Sequence, residues 1–497
     1  MNIRFYNTLG HQLQSFTPVE PGLVRMYHCG PTVYDFAHIG NFRAFVFADI
    51  IRRYFEFLGI KVEQVMNITD VGHMTEDQLA DGAGQDKMEL ASERLRQAKK
   101  QGKADINNPD DPFAVAEFFT EAFLEDAKLL GMKVAAEYPQ HMPRATDHVQ
   151  AMIDLIKQLI VSGHAYAADD GAVYYDVTSF TGYGQLSGNT VEQLQAGAGG
   201  RVSDGEMAGK RHPSDFLLWK RDERHLMKWP SPWGEGYPGW HIECSAMAMG
   251  TLKTPTLDIH TGGEDNIFPH HECEIAQSTG ATGKPFANYW LHVRHLMVEG
   301  EKMSKSKGNF YTIRDLLAKG ADPTVLRYEL LRTHYRSNMN FTLKGLEDSA
   351  KAVTRLRNFV KRGEAAGPSP TATKTMGDTA VEQAFAEALA DDLNMSAALG
   401  AVFKWINATP EPTADDAAAL RRIDSVLGVL KPATAPTDVP TEGPSDADVE
   451  QKVQQMNAAR ADRDFATSDR LRDELQEANI EVQITREGVK WHRKMRL

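Results

Sequence analysis

Residue types that bind metals and phosphates are gathered at a few places in this chain. The stretch His260 to Glu274, HTGGEDNIFPHHECE, joins a Gly-Gly turn and the carboxylate of Asp265 to His270 and Glu274, four residues apart. On a helix that spacing puts both side chains on one face, where they can hold a single metal ion. The chain has only three cysteines, Cys29, Cys244 and Cys273. Cysteines used only for packing would scatter, yet Cys273 lies inside this stretch and Cys244 closely precedes it. Cys29 stands just before His38-Ile39-Gly40-Asn41 (HIGN), and Lys302 to Ser306 (KMSKS) lies downstream. A turn opening a helix presents N–H groups and a positive helix end, which suits a triphosphate. His38 and Asn41 add hydrogen-bond donors there, and a charged His38 would counter charge developing during attack at an α-phosphate. Lys302 and Lys305 lie in a loop bounded by Gly300 and Gly308, as mobile point charges able to close over a leaving pyrophosphate. Together these residues imply adenylate-forming chemistry beside a metal.

The elements around them read as an α/β domain. Leu23 to His28 alternates apolar and polar residues like a strand, and Cys29-Gly30-Pro31-Thr32 turns it out of the sheet. Ala44 to Leu58 has helical periodicity and stops at Gly59. Lys61 to Asn67 reads as a second strand, closing a strand-turn-helix-strand unit whose helix begins beside HIGN. Residues 75–110 are polar and broken, an excursion from the sheet. Helical patterns follow at Phe113 to Leu130 and Ala145 to Val161, then a hairpin-like Ala172 to Val177 and a Gly-rich Gln195 to Gly200. The sheet is expected to resume near Gly239 to Cys244, with strands at Leu257 to His260 and Tyr289 to Val293. Beyond KMSKS the chain is mostly helical, with Pro- and Thr-rich linkers at Gly367 to Thr379 and Pro432 to Pro444.

The expected division is 1–125 and 236–300 as the two halves of a Rossmann-type parallel-sheet catalytic domain. An inserted connecting domain, 126–235, splits them. A KMSKS loop and stem-contact region then covers 301–345, a helical bundle 346–431, and a small mixed α/β domain 446–497.

At 497 residues the chain is long enough for several domains. Its 42% hydrophobic and 25% charged residues are those of a soluble protein. Three cysteines cannot build a disulfide framework, and no apolar run is long enough to cross a membrane, so a cytoplasmic protein is expected. A net charge of −13 excludes an indiscriminate nucleic-acid coat. The last residues are locally basic, with Arg486, Lys490, Arg493, Lys494 and Arg496 against Glu487. A basic end on an acidic body suits a shaped nucleic acid touched at selected places.

Taken together, CGPTVYDFAHIGN (Cys29 to Asn41), NITD (Asn67 to Asp70), GWHIEC (Gly239 to Cys244), HTGG and FPHHECE (His260 to Glu274) and KMSKSKGN (Lys302 to Asn309) resemble the class I aminoacyl-tRNA synthetases, most closely those specific for cysteine. The resemblance covers nearly the whole chain. It implies one Zn²⁺ held by Cys29, Cys244, His270 and Glu274, and two thiolates, an imidazole and a carboxylate suit that ion. It further implies ATP contacts from His38, Asn41, His260, Gly262, Gly263, Asp265, Lys302 and Lys305, with Mg²⁺ accompanying ATP. His38, Asn41, Lys302 and Lys305 would be the catalytic set. Gly30, Thr69 and Trp240 would line the amino-acid pocket, and Trp491 and Arg493 would meet anticodon bases. The implied substrates are L-cysteine, ATP and tRNA(Cys), handled by a monomer. Serine differs from cysteine by one atom, and an apolar pocket rejects such an analogue by only about 100-fold. A metal prefers the thiolate strongly, which removes the need for an editing domain.

Two rivals stay open at this level. One is a cysteine ligase that acylates an amino sugar, which leaves residues 446–497 unexplained. The other is a non-catalytic tRNA-binding regulator, disfavoured by the complete motifs. The chain also departs from the family pattern. Asn41 stands for the second histidine of HIGH, and Met395-Ser396 follows Asp391 to Asn394 where Thr-Pro is usual. Val71 to Met74 occupies the place of an acidic cluster. Cys273 replaces an asparagine and would compete for the metal if it faced it, though a residue next to Glu274 points about 100° away on a helix.

Overall fold

A computed structural model describes residues 1–73, 86–102, 104–189, 209–304, 307–366, 379–432, 444, 446–478, 480–485 and 488–493. Its centre is a parallel sheet of four strands: β1 (Leu23–His28), β2 (Lys61–Met66), β3 (Leu257–Gly263) and β4 (Ala287–Val293). The order across the sheet is β4-β3-β1-β2. The order in which the chain adds strands therefore reverses between β1 and β3, all four strands running the same way, and in such sheets ligands bind at the carboxyl ends flanking that switch. The register sets Tyr27 opposite His260 and His28 opposite Thr261, so Cys29 leaves β1 beside the end of β3.

Helix α1 (Ile39–Phe57) crosses from β1 to β2. It starts earlier than its apolar periodicity suggested, because HIGN itself forms the cap and first turn. Ile39, Phe42, Phe45, Val46, Ile50 and Phe55 are buried in one core with Met26, Met66, Ile259 and Leu291 of the sheet. Gly59, at φ +78°, takes the left-handed conformation that turns the chain into β2.

Gly239 to Cys244, expected to resume the sheet, instead opens helix α2 (Trp240–Leu252) with Gly239 as its extended N-cap. Trp-His-Ile-Glu-Cys alternates like a strand, but Ser-Ala-Met-Ala-Met continues it with residues that favour helix. A Cβ at Gly239 would lie 2.2 Å from the Leu217 carbonyl, so only glycine lets this start sit against the preceding strand. Helix α3 (Glu272–Thr282) follows β3 after a wide turn over Ile267–His271 in which Phe268 is extended.

Between β2 and α2 lie helices at Lys87–Lys100, Pro112–Leu129 and Val149–Val161, and an antiparallel sheet. That sheet pairs Ala165–Ala167, Val173–Tyr175, Phe216–Lys220 and Tyr237–Pro238 in sequence. After β4, Leu296–Val298 pairs with Glu301–Lys302 and with Met339–Phe341, a small sheet that carries Lys302, the first residue of KMSKS. Helices at Leu343–Ala366, Ala380–Ala390, Met395–Ala408 and Ala414–Leu427 make the bundle. The chain closes on the helices Asp446–Ala461 and Phe465–Glu477 and the hairpin Ile480–Thr485 with Gly488–Arg493. The Gly-rich stretch 195–200, most of both linkers, Met74, Lys305 and residues 494–497 lie outside the described residues.

Candidate active site

A cleft of about 570 Å³ opens at the carboxyl ends of β1, β2 and β3. Its floor is a buried cluster of metal-ligand types. Ligand atoms of Cys29, Cys244, His270 and Glu274 all lie within 4.8 Å of one another, and all four residues are buried. Cys29 and Cys244 place their sulfurs 3.9 Å apart. Two sulfurs at zinc-bonding distance with a tetrahedral angle would stand about 3.8 Å apart, so the pair is spaced for one ion. His270 Nε2 lies 3.1 Å from Glu274 Oε1, even though His270 precedes the first residue of α3. His241 Nδ1 meets His270 Nδ1 at 2.8 Å, which leaves His270 Nε2 turned to the cluster. Trp240 stacks on the His270 ring at 4.5 Å.

Electrostatically the cluster is costly without a cation. Burial pushes the Cys29 thiol well above its usual range, helped by Cys244 and Glu274. Cys244 is raised as well, again by burial first. Burial and the neighbouring His241, His260 and His73 hold His270 well below the usual imidazole range, so its ring is neutral. Two thiols and a neutral imidazole around a carboxylate are a donor set that a soft divalent cation stabilises, because its charge reverses the penalty on the thiolates. The residues fit zinc.

A second set shares two of these ligands. Cys29 and Glu274 also group with His260 and His271, and Cys29 Sγ lies 3.2 Å from His271 Nε2. His271 is otherwise committed: its Nδ1 meets His292 Nε2 at 2.8 Å, and His292 Nδ1 meets Thr8 Oγ1 at 2.8 Å. His260 Nε2 meets Glu274 Oε2 at 2.9 Å and its ring stacks on Trp290. Cys29, Cys244 and His270 line the cleft, whereas His260 and His271 sit behind it. Cys273 turns away from the cluster. Its sulfur lies 3.5 Å from Tyr183 Oη in a separate apolar core, where burial keeps the thiol protonated.

The wall expected to meet the amino acid follows from β1 and β2. Gly30 N donates to Asn67 Oδ1, and Asn67 Nδ2 donates to Thr69 Oγ1. A Cβ on Gly30 would fall 1.7 Å from the Asn67 carbonyl oxygen, so this crossing tolerates no side chain. Gly30, Thr69 and Trp240 all line the cleft. So do His73, which pairs with buried Glu243 at 2.8 Å, and Lys87, whose ammonium lies over the Tyr34 ring. Sequence reasoning passed over these. Glu243 carried a signal, since it stands three residues from Trp240 within GWHIEC, and His73 lay within the Val71 to Met74 departure from the family pattern; Lys87 gave none.

At the mouth, His38 is the N-cap of α1. Asn41 N donates to His38 Nδ1 at 3.1 Å and His38 N donates to Asn41 Oδ1 at 3.1 Å, a reciprocal capping box. With Nδ1 accepting, the ring proton sits on Nε2, as a donor. Ile39 N donates to Tyr311 O and His38 pairs with Thr312, so the segment after KMSKS lies along the HIGN turn. A Cβ at Gly40 would meet Met303 Cε at 2.8 Å, which shows how closely the two motifs approach. Asn309 braces the KMSKS loop by accepting from Ser304 N and donating to Lys302 O. Lys302 lines the cleft.

Opposite, Gly263 and Asp265 face the cleft, and the Asp265 side chain is 74% exposed. His260 and Gly262, expected to touch nucleotide, do not line the cleft. His260 is fully buried against Glu274, and Gly262 makes room for the His271 ring, which a Cβ would meet at 2.7 Å. Trp491, across the hairpin from Val482, packs against the small core of Val449, Val453, Leu475 and Ile480. The side chain of Arg493 lies outside the described residues.

Comparison with known proteins places this geometry. A family model described as the tRNA synthetases class I (C) catalytic domain matches residues 15–351, and the chain belongs to that family. Two solved structures of Mycobacterium tuberculosis methionyl-tRNA synthetase bound to methionyl-adenylate share the fold, each with a TM-score of 0.52. The first is 14% identical and is aligned over 82% of this chain and 88% of its own. The cysteine–tRNA ligase of Salinibacter ruber is 43% identical over 99% of this chain and 98% of its own length. That of Solibacter usitatus is 42% identical over 99% and 100%. Within the class, the chain therefore stands in the cysteine–tRNA ligase family.

Proposed function

We infer that the protein activates L-cysteine with ATP, giving cysteinyl-adenylate and pyrophosphate, and then transfers the cysteinyl group to the 3′ end of tRNA(Cys). The observation that carries this is the meeting of two signatures in one cleft. A buried floor with two thiols, a neutral imidazole and a carboxylate opens directly toward the HIGN turn and Lys302. Cys29, Cys244, His270 and Glu274 would hold zinc, which when bound would supply a preference for the substrate's sulfur over the hydroxyl of serine.

The remaining work falls to the chain. Gly30, Thr69 and Trp240 hold the amino acid with its carboxylate toward the mouth. His38 donates from Nε2, and α1 presents its N-terminal N–H groups, to the phosphates of Mg²⁺-bound ATP. Asn41 fixes the His38 ring through the capping box and orients it. Gly263 and Asp265 receive the nucleoside, while His260 and Gly262 set the wall behind. Lys302 and Lys305 neutralise pyrophosphate as it leaves. No group here acts as a covalent nucleophile, so rate comes from positioning and fixed charge. The bundle and residues 446–497 bind tRNA, with Trp491 and Arg493 at the anticodon. Among the described residues, no helix is long and apolar enough to cross a membrane. The protein is taken to work as a cytoplasmic monomer.

The test is charging of unfractionated tRNA with labelled cysteine or serine by the zinc-loaded protein, with ATP and Mg²⁺. Charging with cysteine and none with serine is expected. Cysteine-dependent ATP–pyrophosphate exchange without charging would instead indicate a ligase for another acceptor, such as an amino sugar.

A further inference from the structure

Arg43 lies on α1, five positions after His38, and is only 2% exposed. Its two terminal nitrogens carry four N–H groups. Four main-chain carbonyls receive them. Nη1 donates to Arg294 O at 2.5 Å and His295 O at 2.8 Å. Nη2 donates to His334 O at 3.2 Å and Ser337 O at 2.6 Å. Burial lowers the guanidinium to about 10, against an opposing pull from Glu264, so it stays charged at neutral pH.

The two segments it gathers lead in different directions. Arg294 and His295 leave β4 and form the rim of the cleft beside Asp265. Glu264 accepts from His295 N at 2.6 Å and pairs with Arg294 at 2.6 Å. His334 to Ser337 leads toward the bundle. Tyr335 Oη and Arg336 Nε each donate to Asp392 at 2.6 Å, in a loop where Asp392 and Leu393 are held at φ +58° and +53°. The segments also pair with each other, Arg294 N to Tyr335 O and Met339 N to His295 O. A small open pocket of about 20 Å³ lies beside this joint, lined by Arg43, Phe47, Tyr335, Leu393 and Met395 among others.

We propose that Arg43 is a positioning residue for the nucleotide side of the cleft. It fixes the Arg294–His295 rim at a set distance from the His38 turn and anchors both to the segment that meets the bundle. The two sides that must grip one ATP belong to separate chain segments, and this guanidinium joins them. Lysine cannot replace it, because one ammonium with three donors does not span four carbonyls.

The proposal rests on the ligase reading above. Its test is cysteine-dependent ATP–pyrophosphate exchange by the full-length, zinc-loaded Arg43→Lys and Glu264→Gln variants, with ATP and cysteine varied separately. Zinc content and thermal unfolding are followed alongside. Arg43→Lys is expected to raise KM for ATP about tenfold, the lower end of the loss when a supporting partner is removed. KM for cysteine and zinc content should hold. Glu264→Gln, which loosens the same rim, should shift KM for ATP in the same direction, and the double variant should fall short of the product of the two. Equal changes in both KM values, or an unchanged KM for ATP in folded Arg43→Lys, would overturn the proposal. If Arg43→Lys does not fold, an unchanged KM for ATP in Glu264→Gln does so. Absence of exchange in the unmutated protein would instead defeat the ligase reading.

Discussion

The floor and the mouth of the cleft are built on opposite principles. The floor is buried, and its candidate ligands come from the end of β1, from α2, and from the turn before α3 and its first turn, elements locked together by the sheet and its flanking helices. The mouth is set by a helix cap and a projecting loop, with Lys302 and the Asp265 side chain exposed. Telling sulfur from oxygen requires a dry, fixed set of donors. Handling a triphosphate that enters and a pyrophosphate that leaves requires charges able to follow it. The contrast predicts that floor substitutions abolish selectivity and metal together, whereas mouth substitutions slow the chemistry and spare both.

The strongest way to break this contrast is Cys29→Ala. Metal content measured by atomic absorption should collapse, and cysteine-dependent exchange should fall by more than about 100-fold, the upper cost of losing merely an outer partner of a ligand. Retained metal with lost exchange would move Cys29 from the floor to the chemistry. Proton competition sharpens the same point. The Cys29 and Cys244 thiols are raised by burial, so at neutral pH both are protonated before a cation enters, while His270 is already neutral. Binding then expels two protons, and metal affinity, measured by chelator competition, should rise about 100-fold per pH unit on going up from pH 6. A slope near one proton would mean that one thiol is not a ligand.

At the mouth, Lys302→Ala should lower kcat for exchange by roughly 100-fold, the scale of losing one charge-stabilising donor, with KM for cysteine and metal content unchanged. The smallest effect is expected of Asn41→Ala. It removes the Asn41 half of the capping box and should reduce stability by about 1 kcal/mol in denaturant titrations. Because the His38 ring keeps its bond from the residue-41 main chain, part of the activity should survive; a full loss would give the Asn41 amide a direct contact with substrate.

Much of the fold was legible in the sequence because the central strands are short, buried and bounded by turns. Leu23 to His28 matches β1 end to end, and Lys61 to Asn67 differs from β2 by one residue. The segment from Trp240 misled because a helix buried on several sides has no clean apolar period to set against a strand's alternation. At the site, His270 and Glu274 could be singled out by spacing and the three cysteines by type, while the choice of Cys29 and Cys244 over Cys273 came from the family resemblance. His271 and His292 could not, since their meeting depends on β3 lying beside β4. Arg43 was equally silent: its partners are carbonyls, which every residue carries, from segments more than 250 positions away. The nucleotide role expected of His260 and Gly262 rested on the family resemblance, and what the sequence did not show is that both stand behind the cleft surface, His260 against Glu274 and Gly262 against the His271 ring.

The Gly30–Asn67 crossing also limits how this cleft can be re-engineered. With main chain at contact distance on that side, no substitution at residue 30 can trade volume with a larger amino acid, and moving the crossing would drag Cys29 with it. In the pocket as proposed, room for a longer or bulkier thiol substrate has to come from the Trp240 side, where the wall is an indole side chain stacked on His270 and not main chain.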